Sequence, residues 1–137
     1  MILDEFMVWL LSDPRQGVIR FASPEGKEAI QRVANLYELR VKGDEVDPEW
    51  WDMARGHALG ADHPDPSNSQ YFASQTAGYE ALNAVEKAAN AEAWASEDDN
   101  PHRVYHEAYF RMLRKLINLL ETQEDIDQML KEEPPTS

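Results

Sequence analysis

Five times in 137 residues a side chain able to cap a helix stands directly before proline: Asp13-Pro14, Ser23-Pro24, Asp47-Pro48, Asp65-Pro66 and Asn100-Pro101. The capping oxygen accepts a bond from an orphan backbone N–H, and proline at the first helical position gives up a donor that had no intrahelical partner. This punctuation predicts a chain cut into successive helices. Asp13-Pro14 and Asp65-Pro66 serve equally well as turn initiators.

The stretches between these marks carry helical periodicity. Met1 to Leu11 reads as a first helix, because Asp4 and Glu5 interrupt what would otherwise be the apolar start of a secretory signal. After Ser23-Pro24, the residues Ala29, Ile30, Val33, Leu36, Tyr37 and Val41 recur at steps of three and four, predicting a helix that ends near Gly43. Asp47-Pro48 opens another, with Glu49 in its first turn and Gly60 as the stop. Residues 62–69 form a loop by composition. From Tyr71 to about Ala95 the pattern predicts one alanine-rich helix, with Ala77, Ala81, Ala84, Ala88, Ala91 and Ala95 in line and Leu82, Val85 and Trp94 as the larger contacts. Residues 101–121 carry the strongest apolar face (Tyr105, Ala108, Tyr109, Met112, Leu113, Leu116, Ile117 and Leu120) and read as the central helix. Thr122 with Asp125 resembles a capping box opening a short last helix marked by Ile126, Met129 and Leu130. No segment shows strand alternation or a hairpin dipeptide. The expectation is an all-α, single-domain antiparallel helical bundle of about five to six helices over residues 1–137, with 131–137 a frayed tail.

Charge narrows the function classes. The formal net charge is -13, and its distribution is uneven. Residues 1–43 hold six acids and six bases, and residues 101–137 hold seven acids and five bases, while residues 44–100 set thirteen acids against Arg55 and Lys87. A middle segment of net -11 repels phosphate backbones, which argues against direct binding to nucleic acid or an anionic membrane. No run approaches the roughly 20 apolar residues of a membrane span, and the absence of cysteine fits a reducing compartment. A cytoplasmic protein is expected.

The order of features is similar to that of bacterial and phage proteins with alanine and aromatic helical repeats, some classed as immunity proteins of toxin systems. The resemblance rests on Ala29-Ile30-Gln31-Arg32-Val33-Ala34-Asn35-Leu36-Tyr37-Glu38, the acidic link to Asp47-Pro48-Glu49-Trp50-Trp51, and the Ala-aromatic helix running into a Leu-rich one. It covers roughly residues 25–120, and Gly78, Asn83 and Asn90 interrupt the alanine runs. It implies a small helical protein that acts by binding and carries over no active-site residue.

Constellations for chemistry are sparse. His102 and His106 stand four apart, a spacing that lets two imidazoles share a metal, and His57, His63, Asp62 and Asp65 are further candidate ligands. The stretch lacks the Glu of a metalloprotease motif, so surface histidines near a helix start are the favoured reading and no cofactor is expected. Glu80 and Glu107 are a carboxylate pair that would meet only by chance. Phosphate loops, nucleophile elbows and Cys-His arrangements are missing from the sequence. Trp50 and Trp51 point about 100 degrees apart on a helix and cannot easily both enter the same core; an exposed one is either a ring draped against a neighbouring loop or a candidate binding hot spot. The acids Asp44, Glu45, Asp47, Glu49 and Asp52, with Glu97, Asp98 and Asp99, are either a solubility device or a surface complementary to a basic partner. The reading with most support is a non-enzymatic inhibitor whose acidic segment occludes a basic target, such as a nuclease or another nucleic-acid-binding defence or toxin protein. A histidine-based metal enzyme and a homo-oligomeric assembly protein are the alternatives.

Overall fold

A computed structural model describes residues 2–60 and 68–131. It is all helical: α1 (Ile2–Ser12), a 3-10 turn (Val18–Phe21), α2 (Pro24–Val41), α3 (Pro48–Gly60), α4 (Ser69–Gly78), α5 (Ala81–Ala95) and α6 (Pro101–Lys131), packed as one bundle. Asp65-Pro66, most of the 62–69 loop and the expected frayed tail after Lys131 lie outside the described residues.

Three of the cap-proline pairs start helices. Ser23 Oγ accepts from the Gly26 N–H at 3.0 Å, Asp47 Oδ1 from Glu49 at 2.9 Å and Asn100 Oδ1 from Arg103 at 3.2 Å. Asp13-Pro14 is a turn instead, its carboxylate accepting from the backbone N–H groups of Arg15 and Gln16. The α2 helix stops as expected, with Gly43 at φ +91, a left-handed conformation that suits glycine after a helix end.

The expected single helix over residues 71–95 is two. Gly78 is the last residue of α4, and only glycine fits there, because Leu59 of α3 packs where a Cβ would stand. Tyr79 and Glu80 are extended, and Ala81 restarts the chain at φ +50, an unfavourable region for alanine. An alanine-rich sequence favours continuing a helix by propensity, but glycine at position 78 is the weakest helix former after proline. Leu82 and Trp94, expected as core contacts, are exposed, while Val85 is buried.

The capping box at Thr122 is also absent. The α6 helix runs unbroken through it, and the Thr122 hydroxyl donates to the Asn118 carbonyl one turn back, a bond compatible with a helix interior. Nor is α6 central. It packs on α5 and α1, with Ala108 and Met112 its buried side chains, whereas Ile117 and Leu120 face solvent. The centre is α4, which touches α5, α3, α2 and the 3-10 turn and buries five consecutive residues, Ala73 to Ala77. A helix buried all round needs small side chains, and Ser74 sits against Gly26 of α2 at a distance only glycine allows.

Candidate protein-binding surface

The α3 helix separates its two tryptophans. Trp51 is 8% exposed and stands edge-on to Tyr37, ring centroids 4.7 Å apart. The guanidinium groups of Arg55 and Arg40 lie 4.8 and 5.5 Å from its ring centre, within cation–π range. Arg55 also donates to the Tyr37 hydroxyl at 3.3 Å and ion-pairs with Glu80, joining α3 to α2 and to the α4–α5 break. Burial raises the Tyr37 pKa, and the Arg55 bond only partly opposes it. For Arg55, burial would lower the pKa, but Tyr37 and Glu80 outweigh it, so the guanidinium keeps its charge. Trp51 is therefore a structural residue, and it drops out as a candidate partner contact.

Trp50 faces the other way, 56% exposed, and Met53 one turn on is 74% exposed. Together with Leu36, Ala54, His57 and the polar Arg32 and Asn35, they line an open groove of about 530 Å³ between α2 and α3. An exposed Trp beside an exposed Met on one helix face is an uncovered apolar patch that a partner can bury.

The acids border this patch along the chain. Asp44, Glu45 and Asp47 are exposed on the α2–α3 link, and Glu49 and Asp52 are exposed on the first turns of α3. Asp47 also caps α3. The second cluster belongs to a different part of the bundle, the turn between α5 and α6. There Asp98 accepts from the Asn100 N–H and ion-pairs with Arg103; the backbone bond and then the arginine hold its carboxyl below the usual range. Asp98 thus serves the start of α6, while Glu97 and Asp99 are exposed.

Among the described residues, His57 does not converge with His102 and His106. His57 lines the α2–α3 groove, His102 lines a separate groove between α5 and α6 beside Trp94 and Tyr105, and His106 is exposed one turn further along α6. His63, Asp62 and Asp65 lie outside the described residues. Among the described residues, no group of three His, Cys, Asp or Glu side chains is placed to hold a metal ion. Glu80 is taken up by Arg55, and Glu107 lies 4.0 Å from Arg103.

Sequence reasoning missed Met53 and the groove. A signal was present: Trp50, Met53, Ala54 and His57 fall at i, i+3, i+4 and i+7, a second stripe on α3 beside that of Trp51 and Ala58. It also missed two polar ties. Asp4, 3% exposed, lies 3.5 Å from Arg40. Glu92 of α5 binds Arg20 of the 3-10 turn at 2.9 Å and Arg111 of α6 at 2.7 Å. Burial alone would raise the Glu92 pKa, but Arg111 and Arg20 reverse the shift and lower it.

No family model, curated protein or solved structure matches this chain. Among the described residues, no helix is long and apolar enough to cross a membrane. The chain's own surface is thus the ground for a functional reading.

Proposed function

We propose that this chain is a cytoplasmic, stoichiometric protein inhibitor of the immunity or phage anti-defence kind. It docks through the α2–α3 surface onto a basic, nucleic-acid-binding face of its target. The observation that carries the reading is the exposed Trp50–Met53 pair on α3, a helix whose first turns and preceding link carry the exposed acids Asp44, Glu45, Asp47, Glu49 and Asp52. The acids steer a basic surface into encounter, and burial of the Trp and Met then slows its departure.

Capture of the target from the native host, followed by binding kinetics, tests this. Association slows steeply between 0.01 and 0.15 M salt, as the Debye length shrinks from about 30 to about 8 Å. Replacing Asp44, Glu45 and Asp47 by their amides slows association more than replacing Glu97 and Asp99. Trp50→Ala speeds dissociation, weakening affinity by about 2 kcal/mol or more with the melting temperature unchanged. Trp51→Ala lowers the melting temperature instead. An acidic target, or binding indifferent to salt and to Trp50→Ala, would leave the acids as a solubility device and overturn the proposal.

A further inference from the structure

The α6 helix is 31 residues long, about twice the length of α5, its main packing partner. Its outward face carries an apolar stripe. Phe110, Ile117 and Leu120 are exposed, with Phe110 at 65% and Ile117 at 51%, and Leu113 is partly so. These four stand at spacings of three, four and three, the a and d positions of a heptad seam. The face that meets the bundle, built on Ala108 and Met112, is a different one.

The seam is symmetric about its own middle. In an antiparallel pair centred on residue 115, Phe110 of one chain faces Leu120 of the other, and Leu113 faces Ile117. Continuing outward, His106 faces Glu124 and Arg103 faces Asp127, and all four of these residues are exposed. Each apolar position thus meets an apolar one and each basic or imidazole position meets an acid, which is the self-complementarity that a two-fold interface demands.

Formal charge picks the same direction. From residue 101 to 115 the helix carries Arg103, Arg111, Arg114 and Lys115 against Glu107, a formal net of +3, with Arg103 and Arg111 also paired to Asp98 and Glu92 outside the helix. From residue 116 to 131 it carries Glu121, Glu124, Asp125 and Asp127 against Lys131, a net of -3. Antiparallel contact lays each half on its opposite, whereas parallel contact stacks like on like. On a chain of net charge -13, a helix whose formal charges balance meets a second copy without net repulsion.

We propose that the protein self-associates as a two-fold dimer through the outward face of α6, with the two α6 helices antiparallel over residues 103–127. The seam is about 37 Å long at 1.5 Å per residue. The partner is a second copy of this chain, and the α2–α3 surface takes no part, so the dimer holds or fails independently of the inhibitor reading.

Sedimentation equilibrium of the full chain tests the assembly. The expected mass at about 100 µM is twice 15.7 kDa, falling toward the monomer on dilution through a Kd on the order of 1–10 µM. Ile117→Glu weakens the dimer by at least about a hundredfold, because a carboxylate enters an apolar layer. Its helical circular dichroism is unchanged, since the side chain is solvent-facing in the monomer. Phe110→Glu provides the same reading at a still more exposed position. His106→Glu sets two acids face to face and weakens the dimer, and adding Glu124→Lys restores it.

Orientation is read with cysteines, of which the chain has none of its own. Phe110→Cys and Leu120→Cys chains form a disulfide when mixed. Neither links strongly to itself, because like positions lie about 15 Å apart along an antiparallel seam. A monomer at all concentrations, a dimer untouched by both glutamate substitutions, or cysteine chains that each link to themselves would overturn the proposal.

Discussion

The α4 and α6 helices invert what their sequences suggest. Ser69–Gly78 is short, carries Ser, Gln and Thr and has little apolar bias, yet it occupies the centre of the bundle with five consecutive residues buried. Pro101–Lys131 is long and bears the best apolar face in the chain, yet it lies at the edge and leaves Phe110, Ile117 and Leu120 in solvent. The difference teaches that a helix surrounded on all sides is selected for small side chains that let four neighbours approach, whereas a strong stripe on a peripheral helix can serve a partner as well as the core.

Substitutions can break or sharpen that contrast. The largest effect is expected where α6 does reach the core. Met112→Ala removes a fully buried side chain and should cost about 3 kcal/mol in chemical denaturation. Next comes α4, where Ala77→Leu forces three further carbons into a site with no exposed surface. About 2 kcal/mol is expected, by overpacking rather than by loss of contact. A neutral Ala77→Leu would show that α4 has room and that its small residues are incidental.

Glu92 ties the edge to the centre through Arg20 and Arg111, and Glu92→Gln should cost about 1–2 kcal/mol near neutral pH, allowing for the partial exposure of Arg111. Its folded pKa is lowered, so its contribution is complete above the ordinary glutamate value of about 4.3 and is lost as pH falls through the depressed folded value. An acid titration of stability should therefore be shallower in the variant. At the joint between α4 and α5, Ala81→Gly should stabilise by about 0.5–1 kcal/mol, because glycine accepts the positive φ without strain. The smallest effect is expected at Phe110. In solution dilute enough to keep the chain monomeric, Phe110→Ala should shift stability by less than about 0.5 kcal/mol. A loss rivalling that of Met112→Ala would mean that Phe110 belongs to the core and that the contrast between centre and edge is false.

Much of this was legible locally. Ser23-Pro24, Asp47-Pro48 and Asn100-Pro101 mark true helix starts, since a cap and a proline act within one turn of themselves and need no distant neighbour. Gly43 marks a true end for the same reason. The acids around residues 44–52 are exposed as their charge demands, and the tryptophan pair divides as 100-degree geometry requires. Which tryptophan enters the core was not legible, because it depends on the side of α3 to which α2 brings Tyr37 and Arg40. The apparent capping box at Thr122 misled, because a helix already growing from Pro101 prefers to continue through a hydroxyl that bonds one turn back.

The sequence by itself thus determined the all-helical class, most helix ends and the placement of charge, all consequences of interactions between residues a few positions apart or with water. Only the tertiary structure decided that the 71–95 stretch breaks at Gly78, that α4 rather than α6 fills the centre, and that Trp50 and Met53 stay uncovered while Trp51 is held between Arg40 and Arg55. The physical reason is the same in each case. Packing is settled by the shape and size of side chains that come from distant parts of the chain, such as Leu59 against Gly78 and Arg55 against Glu80, and those meetings are not written in the local preferences of either partner.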